Sequence, residues 1–218
     1  MLGQFNIPLF IVSTIIYIYE LPVLYNYIMT ARTHDAFAFA SLITIAVLRP
    51  PESLTVLTLF TSIVGNIVGA LIPDMDQATN RLWDLLPAGN TIGRIFRRAF
   101  FKHRTLSHSI VGGLLIYKFF EFVLPRVLNA EFVDSNLVLW SIMIGYGSHL
   151  LADSLTKEGL PLFFPFDLNI GFPPIEALRI TTGKWLENFV VFPAVGIYIF
   201  WFVVKFQREL ADILKLVA

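Results

Sequence analysis

The amino-acid sequence predicts an all-α fold, a polytopic membrane bundle of about five to six apolar helices with a basic segment at the membrane interface. The chain has 218 residues, of which 56% are hydrophobic, and its mean hydropathy is +0.70. Soluble domains contain about 45–50% apolar residues, and here the excess is gathered into blocks. At this length, a single integral membrane domain over residues 1–218 is the simplest organisation.

Six apolar blocks give the expected helices. They are Ile7–Met29, Ala36–Leu48, Leu54–Ile72, Ser109–Leu124, Leu137–Leu151 and Phe189–Phe206. A spanning helix needs about 20 mostly apolar residues, so the first, third and sixth blocks are long enough. The shorter blocks can be helices whose polar ends are buried in protein. Residues 1–30 lack the features of a cleaved signal peptide and are predicted to form an additional N-terminal span before a core of residues 33–189.

Two long connections separate the blocks. The first, residues 77–103, mixes aromatic with basic side chains, which is typical of an interfacial helix among anionic headgroups. A loop held in the cytoplasm by its positive charge is the alternative, and both interpretations place this segment on the cytoplasmic side. The second, residues 154–188, is rich in Pro, Gly and Phe and is predicted to be an ordered loop near the membrane surface.

Composition excludes several classes of function. The chain has no cysteine, so disulfides, thiolate metal sites and cysteine nucleophiles are absent. The formal net charge is zero, which gives no reason to expect nucleic-acid binding. Four histidines are too few for a di-iron desaturase, and no Gly-rich phosphate loop is present. Ser107 and His108 are adjacent and would face apart on a helix, which argues against a serine hydrolase dyad.

All four histidines lie at the edge of an apolar block, each within a polar cluster. They are His34, His103, His108 and His149. His149 and Asp153 are four residues apart and therefore share one face of a helix, where both can bind one ion. Asp74 and Asp76 flank a single residue just after Pro73, and in an extended segment their carboxylates point the same way. These polar groups are the candidate ligands of a metal site.

Topology places the candidate ligands on one membrane face. If the third block ends at Asp74 on the cytoplasmic face, the fourth begins there at His108 and the fifth returns there at His149. By the same count, the second block begins there after His34 and the sixth after Glu187. Imidazole with carboxylate suits zinc, manganese or iron(II). The structural alternatives are hydrogen bonds between helices for the histidines and helix caps for the carboxylates.

These clusters resemble the YdjM-like family, inner membrane proteins of bacteria and archaea described as LexA-regulated metal-dependent hydrolases. The resemblance covers about residues 33–189, and its matching segments are Thr33-His34, Leu71–Asp76, His103-Arg104, Ser107–Ser109 and Gly145–Gly159. This family is in turn distantly similar to the zinc-dependent phospholipase C and nuclease superfamily. The chain departs from the family pattern at Gln77–Asn80, where His-Pro and then Ser are frequent, and at Thr105, where Gly is frequent.

The resemblance implies two or three divalent ions, Zn²⁺ with Mn²⁺ as the alternative. The implied ligands are His34, Asp74, Asp76, His103, His108, His149 and Asp153. The implied activity is hydrolysis of a phosphoester at the cytoplasmic face of the inner membrane, with membrane lipids as partners and a phospholipid among the possible substrates. Asp76 or Glu187 would be the general base, and Arg104 would bind the anionic group.

Two other functions fit the same sequence. The first is a metal-binding membrane sensor or scaffold without catalysis. The second is a metal-ion transporter, although transport favours ligands near the middle of several spans, whereas these candidates lie at the ends of spans. The sequence gives neither the substrate nor the oligomeric state.

Overall fold

The computed structural model describes residues 32–76, 106–166 and 168–217, and within these ranges the fold is all-helical, as predicted. The first described helix, α1, covers residues 32–48. The others are α2 (Val56–Leu71), α3 (Ile110–Val127), α4 (Ser135–Ser154), α5 (Phe192–Lys205) and α6 (Gln207–Lys215). A π-helical turn, Glu187–Val191, leads directly into α5.

Side-chain caps fix the beginnings of three helices. Thr55 accepts a hydrogen bond from the Thr58 amide at the start of α2, and Ser109 accepts one from the Gly112 amide at the start of α3. Asp134 accepts two amide hydrogen bonds at the start of α4. Each cap provides an acceptor for backbone donors that the first helical turn leaves unpaired. The helices therefore begin within a few residues of the predicted apolar blocks.

The close crossing of α2 and α4 organises the fold. A Cβ atom at Gly69 would lie 2.0 Å from the Ile142 carbonyl oxygen, and one at Gly145 would lie 2.0 Å from the Asn66 oxygen. The two backbones therefore touch, which only glycine permits. A core packs beside the crossing, made of Ile72, Leu124, Val138, Leu139, Ile142 and Tyr146. This contact brings the C-terminal end of α2 against the last turns of α4.

One described helix combines an apolar composition with the length of a membrane span. It is the continuous helix Glu187–Lys205, and only 11% of it is buried in the protein. α2 is apolar but shorter. The outer surfaces of other helices are also apolar, since Phe60 on α2 is 66% exposed and Phe119 on α3 is 58% exposed.

One helix of the structure was not predicted, and two predicted segments lie outside the described residues. Helix α6 was not predicted, because it alternates charged with apolar residues and so forms no apolar block. The loop from residue 155 to residue 186 is described except for Asp167, and short contacts cross it. Isolated bridges join Thr156 to Ile180 and Leu160 to Ile170. The predicted N-terminal span and basic interfacial segment lie outside the described residues.

Candidate metal centre

The last turns of α4 supply two of the clustered side chains. His149 and Asp153 are each 1% exposed, and His149 Nε2 lies 3.6 Å from Asp153 Oδ2. They face the same way because they are one helical turn apart. The helix end is held by Thr156, whose hydroxyl donates to the Asp153 carbonyl at 2.7 Å. The two side chains therefore project from a fixed position.

Asp74 enters the cluster from the short 3₁₀ turn Pro73–Asp76, which follows α2. Proline has no amide hydrogen and its ring clashes with the preceding helical turn, so α2 does not continue through Pro73. The turn places Asp74 next to the end of α4, where Asp74 Oδ1 lies 3.8 Å from His149 Nε2. Its side chain is 24% exposed, which makes it the most accessible of the clustered carboxylates and imidazoles described.

His108 comes from a second 3₁₀ turn, Leu106–His108, just before α3. Its side chain is fully buried, and its Nε2 lies 3.4 Å from Asp153 Oδ2 and 3.5 Å from Asp74 Oδ1. The turn is tied to α4 because the Tyr146 hydroxyl donates to the Ser107 carbonyl at 2.7 Å. It also packs directly on Gly112, where a Cβ atom would lie 1.8 Å from the Leu106 oxygen.

His34 completes the cluster from the first described turn of α1. Its Nε2 lies 3.6 Å from Asp153 Oδ1, and its ring stacks on that of His149 with centroids 4.0 Å apart. Asp153 therefore faces two histidines with Oδ2 and a third with Oδ1. This makes Asp153 the central carboxylate of the cluster.

The spacing of the donor atoms is that of ligands sharing an ion. The five N–O distances run from 3.4 to 3.8 Å, whereas charge-assisted hydrogen bonds are about 2.7–2.9 Å. Two donors bound about 2.1 Å from one ion at a tetrahedral angle lie about 3.4 Å apart. Two overlapping groups have donor atoms within 4.8 Å of one another: His34 with His149 and Asp153, and Asp74 with His108 and His149.

The second ring nitrogens of two histidines are held by hydrogen bonds. His149 Nδ1 lies 2.7 Å from the Ala70 carbonyl, which can only accept, so Nδ1 carries a hydrogen and Nε2 is the nitrogen that can bind a metal in the neutral ring. His108 Nδ1 lies 3.1 Å from the Ser107 hydroxyl. Within the described residues, His149 Nε2 and Asp74 Oδ1 are buried without a hydrogen-bond partner. Imidazoles that bind metals are usually oriented in this way, so the side chains fit a metal ion.

Electrostatics favour the ionised carboxylates. Burial acts to raise the pKa of Asp74, but the polar contact with His108 and the nearby His149 outweigh it and lower the pKa to about 2. Burial acts to lower the pKa of His108, and the neighbouring Asp153 and Asp74 outweigh it, so this pKa lies above 6.5. Buried negative charge therefore draws positive charge into the cluster, from protons or from a cation.

Glu187 lies beside the cluster and not within it. The side chain is buried, and it accepts a hydrogen bond from the Gly183 amide. Glu187 and His34 line the same cavity of about 30 Å³, together with Thr33 and Thr182. A space of that size holds about one or two water molecules. Glu187 is thus close to His34 and adjacent to a site for water.

The structure brings together five of the predicted site residues, namely His34, Asp74, His108, His149 and Asp153. Asp76 ends the 3₁₀ turn that carries Asp74. His103 and Arg104 lie outside the described residues.

The expectation that Ser107 and His108 face apart was wrong. The pair lies in a 3₁₀ turn and not on an α-helix, and there the hydroxyl reaches Nδ1 of the neighbouring ring. Ser107 is only 4% exposed. The hydroxyl therefore orients the imidazole, and its burial is unsuited to attack on a substrate.

Sequence analysis missed the residues that support the cluster. Tyr146 fixes the turn of His108, and the carbonyl of Ala70 fixes the ring of His149. That second contact depends on the glycine crossing of α2 and α4. The spacing Gly65-x-x-x-Gly69 in an apolar block is typical of closely packed membrane helices. This spacing could have indicated from the sequence that another helix crosses here.

Comparison with known proteins identifies similar sequences. A family model described as YdjM inner membrane protein matches residues 29–210. An uncharacterized protein of Bacillus subtilis, YvsG, is 27% identical over 124 residues, which cover 57% of this chain and 67% of that protein. Inner membrane protein YdjM of Escherichia coli and its Shigella flexneri counterpart are each 30% identical over 124 residues. The match spans 58% of each of these two proteins. No solved structure matches.

Proposed function

The chain belongs to the YdjM inner membrane protein family, and from this premise we propose that it is a multi-pass metal-dependent hydrolase that cleaves a phosphoester at the cytoplasmic face of the membrane. One observation carries the proposal. Three imidazoles and two carboxylates from four separate elements meet at one end of the bundle, with N–O distances of 3.4–3.8 Å, and only Asp74 among them is more than 10% exposed.

The exposed apolar surface supports several membrane crossings. Large apolar side chains point outward from α2, α3 and α5, for example Phe60, Leu114 and Phe200, which are 66%, 60% and 72% exposed. In water such surfaces would be costly, whereas in a bilayer they contact lipid chains. The cytoplasmic orientation rests on the basic residues between positions 77 and 103.

The donor set suits Zn²⁺, with Mn²⁺ as the alternative, because it combines imidazole and carboxylate without thiolate. Asp74, His108 and His149 form one group of ligands, and His34 with Asp153 begins a second. Asp153 would join the two, since its two oxygens face different histidines. Asp76 and His103 remain the predicted additional ligands.

Divalent ions bound here would lower the pKa of water towards ~7 and neutralise charge on the phosphate oxygens. Glu187, and alternatively Asp76, would accept a proton from water, and the cavity that Glu187 shares with His34 gives that water a place. Arg104 would bind the anionic group of the substrate. The partly exposed Asp74 marks the side from which substrate approaches.

A metal-binding protein without catalysis is the second candidate. The observation in its favour is the deep burial of the cluster, since His108, His149 and Asp153 are at most 1% exposed. A sensor or scaffold needs no substrate access. A metal-ion transporter fits less well, because the clustered groups lie at helix ends and not near the middle of helices.

Activity can be tested with chromogenic substrates. The full chain in lipid nanodiscs, loaded with Zn²⁺ or Mn²⁺, is expected to hydrolyse p-nitrophenyl phosphate or bis-p-nitrophenyl phosphate. Asp74→Asn should lower this rate by at least about 100-fold, because even outer-shell partners of metal ligands contribute about 10–100-fold. Glu121→Gln is the matched control, since Glu121 is an exposed carboxylate on α3 that forms an ion pair with Lys118 and is not part of the cluster. Bound metal without hydrolysis of either ester would favour the non-catalytic candidate.

A further inference from the structure

An apolar groove lies between α1, α2 and α4. Its volume is about 900 Å³, and its walls are mainly aliphatic and aromatic side chains, among them Leu42, Ile45, Ile63 and Trp140. Along α4 it extends from Leu137 to Leu151, which at 1.5 Å per residue is about 21 Å. Ile213 of α6 contributes to the lining, so the amphipathic C-terminal helix also borders the groove.

The groove approaches the candidate metal centre along two helices, and none of its lining residues belongs to the cluster. On α4, Ser148 and Leu151 line the groove and flank His149 in the chain. On α1, the lining residues Ser41 and Ile45 follow His34 by seven and eleven residues, so the three side chains share one helix face. The end of the groove at Ser148 and Leu151 therefore lies within one helical turn of His149 along α4.

Two of the serine hydroxyls that line the groove are already paired within their own helix. The hydroxyls of Ser141 and Ser148 donate to carbonyls of their own helix, those of Leu137 and Gly145. These two donors therefore need no partner inside the groove. Gly147 lines it as well, and a Cβ atom there would meet nothing within 4 Å. The space is mainly apolar, with Arg49 as the charged residue of its lining, and is bounded by exposed residues such as Trp140 and Leu151.

We propose that this groove holds one acyl chain of a membrane phospholipid whose phosphate group lies at the metal centre. The proposal rests on the proposed function and specifies its substrate as a lipid phosphoester. One leaflet of hydrocarbon is about 15 Å thick, so a groove of about 21 Å is long enough for a chain that starts at the headgroup level. A phospholipid has a phosphate at one end and hydrocarbon chains at the other. The clustered imidazoles and carboxylates suit the phosphate, and the apolar groove near them suits a hydrocarbon chain.

Filling the groove tests the proposal. Gly147→Phe places a ring in the open space, and Gly196→Phe is the matched control, because a Cβ atom at Gly196 in α5 also meets nothing within 4 Å and Gly196 does not line the groove. Native mass spectrometry would count phosphatidylglycerol retained by the full chain in detergent. Wild type and Gly196→Phe are expected to retain one lipid per chain, and Gly147→Phe to bind it at least tenfold more weakly. Equal retention by all three proteins would overturn the proposal.

The identity of the occupant needs a second measurement. The chain has no cysteine, so Gly147→Cys can carry a single benzophenone label that reacts with its neighbours on illumination in phosphatidylglycerol vesicles. A lipid adduct supports the proposal, whereas cross-links to residues 1–31 or to a second copy would overturn it. Neither experiment requires turnover. If the protein retains lipid but is catalytically inactive, the hydrolase function is refuted and the lipid groove is not. If the protein is active but retains no lipid, the lipid groove is refuted and the hydrolase function is not.

Discussion

Replacing Asp153 with asparagine is expected to lower the zinc affinity of the protein by more than about 100-fold. Asp153 faces three histidines, His108 and His149 through Oδ2 and His34 through Oδ1. The amide keeps the shape of the side chain but removes its charge and one oxygen acceptor. Loss of an outer-shell partner costs about 10–100-fold, so the loss of a central ligand should cost more. Competition with a chromophoric chelator measures the affinity.

The control for this variant lies at the other end of the same helix. Asp134 caps α4 by accepting the amides of Asn136 and Leu137, and asparagine caps nearly as well. Asp134→Asn should therefore keep the zinc affinity of the wild type. Equal zinc affinities for wild type and for Asp153→Asn would show that Asp153 is a structural partner of the histidines and not a ligand.

Gly145→Ala is expected to destabilise the protein by about 3 kcal/mol or more and to disrupt the proposed metal centre. The added Cβ atom would lie 2.0 Å from the Asn66 carbonyl oxygen, which is backbone and cannot rotate away. Overpacking usually costs about 1–3 kcal/mol, and a clash with backbone belongs at the upper end. Separation of α2 from α4 would also break the contact of His149 with the Ala70 carbonyl. Thermal unfolding in detergent and zinc binding are the two measurements.

Gly147→Ala is the matched control, two residues further along α4. A Cβ atom there meets nothing within 4 Å, and alanine forms helices better than glycine by about 1 kcal/mol. This variant should be at least as stable as the wild type and bind zinc normally. If Gly145→Ala unfolded at the same temperature as Gly147→Ala, the direct backbone contact of α2 and α4 would be refuted.

The main helices could be predicted from the sequence because their ends carry strong local signals. Pro73 stops α2, and Ser109 caps α3, so these boundaries were close to the predicted ones. Helix α6 was not predicted, and the reason is physical. Its sequence, Gln207–Lys215, is amphipathic and not uniformly apolar, and such a segment is recognised by its periodicity and not by its mean hydropathy.

The cluster itself was partly predictable. The spacing of His149 and Asp153 fixes their common face on any helix, and alternation of the apolar blocks places Asp74, His108 and His34 at the same end. What the sequence could not supply was tertiary detail. The contact of Ser107 with His108 depends on a 3₁₀ turn, and the hydrogen bond from Tyr146 to the Ser107 carbonyl depends on how α4 docks against that turn.

The metal content of the purified protein tests the central claim most directly. Elemental mass spectrometry of the detergent-purified chain should find about two zinc or manganese ions per chain, the number expected of a two-metal hydrolytic site. The double variant His149→Ala with Asp153→Ala should contain almost none. If the wild type holds no stoichiometric metal even after reconstitution with excess zinc and manganese, the metal centre is refuted, and the imidazoles and carboxylates are a structural network of buried polar side chains.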